Sequence, residues 1–377
     1  MALKLTFLGF LVYAVMAIYL AAAVAYWVRQ RRLGGVLYAL GFAVAVVTFG
    51  VRWYEVNHVP LQNMFEVCLC LGMLMWPITF FCRRFLGLAD EASDAIIGFI
   101  ILVPAGFVFK AEPQHLPPAL QSALFIPHVA SYMLAYVVMA KAAVQAIRAF
   151  EWRTQLALLV LVVHRVGLVL AFSLPKVFVY LADLLGAAPP KETMWWLPVG
   201  SVQIAGMPDL SDVLAYLLMA LQWFLMPAMT GLYQLTGGHW NGWVILGALS
   251  DVVVYVPIVA LLAIAKPLPL ERQTSREQGA YRVSALGFPL LTLGLVLGAV
   301  WGKIAWGDYW NWDPKELWSL VSWLVYLGYF HLRYMQGQRL PRVNSAIVLV
   351  GLLMIILTLL WVNLATLFKG GMHSYAS

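Results

Sequence analysis

The sequence predicts an all-α protein, a polytopic transmembrane helical bundle. Of its 377 residues, 63% are hydrophobic and only 11% are charged, and the mean hydropathy is +0.84. A soluble globular domain carries about 25% charged residues, whereas a membrane-spanning helix needs about 20 predominantly apolar residues. The composition therefore excludes an ordinary soluble enzyme, and the apolar residues suffice for about ten spans.

Each predicted helix rests on an apolar run of spanning length. The first run ends at a cluster of three arginines (Arg29, Arg31 and Arg32), and its length predicts a membrane anchor rather than a cleavable signal peptide. Eleven runs can be distinguished, at about 5–28, 35–53, 64–82, 93–109, 127–147, 155–174, 210–235, 243–265, 284–302, 317–335 and 344–367.

The basic residues predict the orientation of these helices, because Lys and Arg accumulate on cytoplasmic loops. Clusters lie at 29–32, 83–84, 148–153, 272–282 and 333–342, so these segments are expected in the cytoplasm. The loops 54–63, 110–126 and 303–316 and the tail from Lys369 then face the outer side. The formal charge of +7 follows from this topology, and we expect no nucleic-acid partner.

The run at 155–174 does not fit this alternation, because the chain must cross an even number of times between the basic clusters at 148–153 and 272–282. The run carries His164 and Arg165 at its middle, and an arginine at mid-bilayer costs at least ~2.5 kcal/mol. We therefore expect a re-entrant or interfacial pair of helices over 155–186. Three segments result: N-terminal transmembrane helices (1–153), an inserted helical segment of unknown role (154–270), and the C-terminal helices with a tryptophan-rich loop (271–377).

The chain shows no pattern of a protein nucleophile. Its three cysteines, Cys68, Cys70 and Cys82, form neither a CxxC pair nor a zinc site, so buried thiols are expected. No Ser-His-Asp or Cys-His-Asp set and no phosphate-binding glycine loop can be recognised.

A tryptophan-rich loop is the most informative segment. Five of the 16 tryptophans fall within 18 residues, and acidic and basic residues stand between them. An aromatic belt at the membrane interface explains scattered tryptophans but not this density. Flat apolar rings alternating with charged groups suit a large planar ligand that has carboxylates, such as a porphyrin. The tryptophans are Trp301, Trp306, Trp310, Trp312 and Trp318, and the charged residues are Asp308, Asp313, Lys315 and Glu316.

This loop resembles the signature of the WWD haem-handling proteins, which it matches without a gap as Trp306-Gly-Asp-Tyr-Trp310-Asn-Trp312-Asp313-Pro-Lys315-Glu316-Leu-Trp318. Other segments are similar to the CcsA (ResC) branch, the integral-membrane half of the cytochrome c synthase. They are Arg52-Trp-Tyr, His58 to Glu66, His128-Val-Ala-Ser-Tyr132, Gly287-Phe-Pro, Tyr329-Phe-His331 and Met372-His373-Ser. The resemblance covers about 1–150 and 280–377.

The resemblance implies haem b as both bound cofactor and substrate. It makes His128 and His373 the axial ligands of a haem at the outer face, and His331 a ligand of a second haem within the membrane. The opposite ligand of the second haem would come from the partner subunit CcsB (ResB). Residues implied to hold the porphyrin or its propionates are Trp306, Trp310, Trp312, Asp313, Lys315, Trp318 and, less directly, Arg52.

From the residues alone, an alternative stays open, in which His128 and His373 are interfacial histidines bonded to lipid headgroups. His58, with Arg52 and Glu66, is expected to shape the outer pocket or a partner contact. His115, His164 and His239 are expected to be structural or solvated.

The implied function is that of the membrane subunit of the cytochrome c synthase (haem lyase), active together with CcsB. The protein would move haem outward and present it for thioether attachment to the CxxCH segment of apocytochrome c, whose histidine displaces an axial ligand. The expected location is the bacterial cytoplasmic membrane or an organellar equivalent, with membrane lipid around it and the tryptophan loop outside. Two alternatives are a WWD-type exporter or chaperone that only hands haem on, and an ion-coupled small-molecule transporter, which would require repeats that the sequence lacks.

Overall fold

The computed structural model describes Lys4 and residues 6–171 and 254–361, with side chains except at 162–171 and Trp361. These residues form helices and connecting loops, and no strand occurs among them. The helices are α1 Phe7–Trp27, α2 Arg31–Val56, α3 Met64–Leu86, α4 Glu91–Phe107, α5 Phe125–Ile147, α6 Trp152–Ala171, α7 Val254–Ile264, α8 Leu270–Trp306, α9 Pro314–Gln336 and α10 Pro341–Ile356. A 3₁₀ turn, Pro118–Leu120, precedes α5, and a π-helical turn, Leu357–Trp361, follows α10.

The all-α membrane fold is confirmed for the described part of the chain. Six of its helices are long and apolar enough to cross a membrane: α1, α2, α3, α5, α8, and α10 extended to Leu360. The count of about ten spans stays a prediction. The predicted run 210–235, the second half of the pair expected at 155–186 and His373 all lie outside the described residues.

The described helices belong to two compact units. Helices α1–α5 and α8–α10 form the first unit, and α6 and α7 belong to the second. Helix α6 covers 20 residues and is not among the six candidate spans. All the described residues considered below belong to the first unit.

Local sequence signals set where several helices begin and end. Helix α3 starts at a capping box in which the Asn63 side chain accepts from the Glu66 backbone N–H at 3.0 Å, and Glu66 bonds back to the backbone ahead of the helix. It ends at Gly87, whose φ of +67° suits glycine. These caps satisfy backbone groups that a helix end leaves without partners.

Helix α5 forms the centre of the first unit. It packs against α3, α4, α8 and α10, and small or flexible side chains face these neighbours. Ala135, Met139, Ala142 and Ala146 are fully buried. Small residues let helix backbones approach closely, which is how helices associate in membranes.

The two ends of the first unit differ in chemistry. One end, called here the tryptophan end, carries the loops 57–63, 108–124 and 307–313. The opposite end, called the basic end, carries Arg31, Arg83, Arg148, Arg282 and Arg333. This sorting agrees with the alternation of basic and non-basic loops in the sequence.

Buried ion pairs hold the helices together near the basic end. Lys141 of α5 donates to Asp94 of α4 at 2.5 Å, and both side chains are fully buried. Glu277 of α8 accepts from Arg333 of α9 at 2.8 Å. A buried charge needs such a partner, so these pairs fix which helices lie side by side.

Helix α8 is longer than the sequence predicted. The apolar run covers 284–302, whereas the helix covers 37 residues from Leu270 to Trp306. At 1.5 Å per residue it is about 55 Å long, well beyond the ~30 Å of a bilayer core. Its polar first turns supply Glu277 to the ion pair with Arg333, which explains why the helix continues beyond the apolar run.

Candidate functional site

His128 lies in the first turns of α5, at the tryptophan end. Its Nδ1 is 2.9 Å from the carbonyl oxygen of Gly294 on α8. Its ring stacks on Trp301 at 5.6 Å between centroids and an interplanar angle of 25°, and it meets Tyr132 edge-on at 5.2 Å. The imidazole therefore has a fixed position between α5 and α8.

This hydrogen bond determines which nitrogen of His128 can bind a metal. A carbonyl oxygen only accepts, so Nδ1 must carry the proton, and in the neutral ring Nε2 then holds the lone pair. Metal-binding histidines are commonly oriented in this way, by a bond from the other ring nitrogen to a backbone carbonyl. The bond to Gly294 therefore leaves Nε2 as the nitrogen of His128 that could bind a metal.

Trp301 supplies the platform for this ring. It is only 2% exposed, its Nε1 donates to the Ala119 carbonyl at 3.0 Å, and Trp306 packs against it at 4.7 Å. Trp301 is one of the five clustered tryptophans, but the sequence alone predicts no separate role for it. Its position directly before the signature, at the end of an apolar run, was the available signal.

The loop between α8 and α9 has a defined conformation. Gly307 and Trp312 both have positive φ, +92° and +56°, and Asp313 then caps α9 in a capping box with Glu316. The Glu316 carboxylate accepts from the backbone N–H groups of Asn311 at 2.8 Å and Asp313 at 3.2 Å. Asp313 and Glu316, two of the three acidic residues of the signature, thus hold the backbone of the tryptophan loop in place.

The tryptophans of the loop differ in exposure. Trp318 is 1% exposed, whereas Trp312 is 45% exposed and meets Trp310 edge-on at 5.9 Å. Three buried N–H donors here have no hydrogen-bond partner among the described residues, namely Trp310 Nε1, Trp318 Nε1 and Asn311 Nδ2. Unsatisfied buried donors are costly, so a site with three of them suits a ligand that brings acceptor oxygens.

Lys315 adds a positive charge to this loop. It lies in the first turn of α9, ahead of the apolar part of that helix. Burial lowers its pKa from 10.5 to about 8, and the Asp313 carboxylate opposes this shift. A lysine with this pKa is still mostly charged at neutral pH and changes charge just above it.

Arg52 and Glu66 form a buried pair at the same end. The guanidinium bonds to Glu66 Oε1 from Nε at 3.0 Å and from Nη2 at 2.9 Å. Nη1 also donates to the Ala111 carbonyl at 2.7 Å, and Nη2 donates to the Glu112 carbonyl at 3.2 Å. These contacts tie the loop after α4 to α2 and α3, which gives Arg52 a structural role that competes with the predicted contact to a propionate.

His58 is held through both nitrogens of its ring. Its Nδ1 is 3.0 Å from the Val59 carbonyl and its Nε2 is 3.2 Å from the Gln114 carbonyl. Both ring nitrogens face acceptors, so ligation would require one of these contacts to break. The geometry favours a role in holding the loop, and the expected role of His58 in the outer pocket or in a partner contact stays a prediction.

His331 lies far from His128, near the basic end of α9. It is exposed on a helix face opposite to the buried residues Trp318, Tyr326 and Tyr329. The residues that share its face are Leu324, Leu327, Gly328, Tyr334 and Met335. The structure thus separates the predicted histidine ligands into two places, with His128 beside the tryptophans and His331 on an outward face.

The described residues contain no group of three His, Cys, Asp or Glu that could hold a metal ion. Cys68, Cys70 and Cys82 are free and buried.

The fold and the site together define a helical, multi-span membrane protein with a histidine held among tryptophans at one end. The sequence profile described as "Cytochrome C assembly protein" matches residues 57–368, and the chain belongs to this family.

Curated relatives support a cytochrome c biogenesis protein of the CcsA type. The chain is similar to the "Cytochrome c biogenesis protein CcsA" of Nostoc punctiforme, with 28% identity over 355 residues, 89% of this chain and 87% of the relative. It is similar to the protein of the same name from Synechocystis sp., with 28% identity over 369 residues, 93% of this chain and 92% of the relative. The counterpart from Microcystis aeruginosa is 41% identical over 121 residues, 32% of this chain and 35% of the relative.

Proposed function

We propose that this protein is the membrane subunit of a cytochrome c synthase. It carries haem to the outer side of the membrane, holds it between His128 and His373 beside the tryptophan loop, and presents it to the CxxCH segment of apocytochrome c. The observation that carries the proposal is the His128 ring, whose Nδ1 is bonded to the Gly294 carbonyl so that Nε2 holds the lone pair.

The residues around His128 and the loop fit haem b. Trp301 and Trp306 form an aromatic surface next to the histidine, and the exposed ring of Trp312 adds another flat face. The buried donors of Trp310, Asn311 and Trp318 suit propionate oxygens, and the Lys315 ammonium offsets their charge. His373 lies outside the described residues, so its part rests on the family resemblance.

Thioether formation requires the protein mainly to position haem and the cysteine thiols. When bound, haem supplies two vinyl groups, and the sulfur and hydrogen of each cysteine thiol add across one of them, so nothing leaves. This agrees with the lack of a catalytic triad or phosphate loop in the sequence. The chain's own residues bind, orient and shield the substrate, as proteins do when the cofactor carries the reactive groups.

His331 supports the second part of the proposal, a haem held within the membrane together with the CcsB partner. A histidine on an outward, largely apolar helix face is costly to leave in lipid. A partner subunit and a haem covering this face would remove that cost. The basic end, which carries His331, would then lie on the cytoplasmic side by the positive-inside rule, and the tryptophan end on the outer side.

The test is spectroscopic. Purified wild-type protein, expressed with a CcsB partner, should contain haem by pyridine haemochrome assay. His128→Ala and His373→Ala should each change the low-spin spectrum and abolish maturation of a reporter cytochrome c, and His331→Ala should remove a separate fraction of haem. His115→Ala is the matched control, because the described contact of that residue uses only its backbone carbonyl.

Two results would contradict the proposal. If no haem copurifies, or if the His128 and His373 variants keep the wild-type spectrum and full maturation, the site assignment is wrong. If a CxxCH peptide added to the haem-loaded complex yields no thioether although haem is transferred, the protein is a haem exporter or chaperone instead.

A further inference from the structure

We propose that Gly298 is a positioning residue, which keeps the His128 imidazole in its ligating orientation by leaving room for it on α8. The inference rests on the proposed function, because it concerns how the outer haem site is held together. It assigns a role to a residue outside the tryptophan signature.

Any side chain on Gly298 would collide with the His128 ring. A Cβ atom placed on Gly298 would lie 2.6 Å from Cε1 and 2.9 Å from Nδ1 of His128. Carbon atoms pack at about 3.5–4.0 Å, so even alanine at this position would have to displace the ring. The ring cannot move freely, because Trp301 stacks against it.

A side chain on Gly298 would also disturb the hydrogen bond between His128 and Gly294, which sets the tautomer of the imidazole. In an α-helix the Gly294 carbonyl accepts from the N–H four residues later, which is that of Gly298. The same carbonyl accepts from His128 Nδ1 at 2.9 Å, using its second lone pair. A side chain on Gly298 would stand directly beside this carbonyl, so it would break the contact that places the lone pair on Nε2.

A second glycine of the same helix–helix contact provides a matched control. A Cβ atom on Gly287 would meet the flexible Met139 side chain at 3.0 Å and Val138 at 3.1 Å, away from any histidine. Gly287→Ala and Gly298→Ala therefore both crowd the α5–α8 contact with an added methyl group, but only Gly298→Ala displaces an imidazole.

The experiment compares the visible spectra of haem copurified with five proteins. They are the wild type, Gly298→Ala, Gly287→Ala, His128→Ala and the double variant His128→Ala/Gly298→Ala. Groups that orient a metal ligand typically change affinity by 10–100-fold. Gly298→Ala should therefore lower the low-spin haem signal of the outer site about tenfold and resemble His128→Ala, whereas Gly287→Ala should keep the wild-type spectrum.

The double variant distinguishes positioning from packing. If Gly298 acts through His128, the double variant has the same spectrum as His128→Ala, because the ring that the new methyl group would meet is gone. If Gly298→Ala fails to give folded protein, the double variant should restore the yield for the same reason. A further loss in the double variant, or a wild-type spectrum in Gly298→Ala, would overturn the inference. An unchanged spectrum in His128→Ala would instead overturn the proposed function, and this inference with it.

Discussion

The buried pair of Arg52 and Glu66 permits a quantitative test of what holds the tryptophan end together. Arg52 is 0% and Glu66 1% exposed, and two of the four described bonds of the guanidinium go to the Glu66 carboxylate. Removing one partner of such a pair costs about 3–5 kcal/mol, because the other charge stays buried and unpaired. Arg52→Met should lose stability in this range, whereas Glu66→Gln should lose less, because the Glu55 carboxylate still lies 3.5 Å from Nη1 of Arg52.

The double variant Arg52→Met/Glu66→Gln should recover more than half of this loss. Its glutamine is neutral and can still cap α3, because the capping box accepts Glu or Gln. The exposed pair of Arg83 and Glu91 provides the control, since its arginine is 61% exposed. Arg83→Met should cost only about 0–1 kcal/mol.

A thiol-reactive fluorescent dye gives a direct assay of unfolding, because all three cysteines of the chain are buried in α3 and become reactive when the helices separate. The prediction is refuted if Arg52→Met melts within the range of Arg83→Met, or if the double variant is less stable than Arg52→Met. A double variant that is stable but has lost haem would support the predicted contact between Arg52 and a propionate.

Three positions, Lys315, Glu316 and Gly328, permit further tests of the tryptophan loop and α9. Haem affinity in a spectral titration should fall as the pH rises through about 8, because Lys315 loses its charge there, and Lys315→Gln should remove this dependence. Protein stability should change in the opposite direction and rise between pH 8 and 10.5. In that range Lys315 is protonated in the unfolded chain but not in the folded protein, so raising the pH favours the folded state. Glu316→Ala removes an acceptor from two backbone N–H groups, each bond worth about 1.5–3 kcal/mol, so amide exchange in 307–313 should rise sharply, and less so in Glu316→Gln. Gly328→Leu fills open space one turn before His331 and should lower the haem fraction that depends on it, whereas Gly50→Leu, at an equally open glycine of α2, should not.

The fold class could be predicted because the bilayer imposes a simple length rule on apolar runs. Helix ends were predicted less well wherever polar residues continue a helix beyond the membrane. Helix α8 is the clearest case, since residues 270–283 read as a polar loop but form helix that pairs Glu277 with Arg333. No local pattern signals such a pair, because the two residues are 56 positions apart in sequence.

The candidate site could be predicted only in part, and for a similar reason. Density of tryptophan and charge identified the loop, but the signature did not reveal that Asp313 and Glu316 cap α9. The roles of Gly298 and Trp301 depend on contacts with a helix about 170 residues earlier in the chain. For Gly298 the available signal was the spacing of Gly287, Gly294 and Gly298 at intervals of seven and four residues, because it places small residues on one helix face.

The continuity of α8 restricts where this chain can change in length. Glu277 and Gly298 are 21 residues apart on one helix, about 30 Å along its axis, so the contacts at the two ends share a fixed rotational register. Inserting one residue between them would turn one end by about 100° relative to the other. A change of chain length within α8 should therefore break the contacts at one of its ends, whereas the loop 337–340 can absorb such a change, because it lies between α9 and α10.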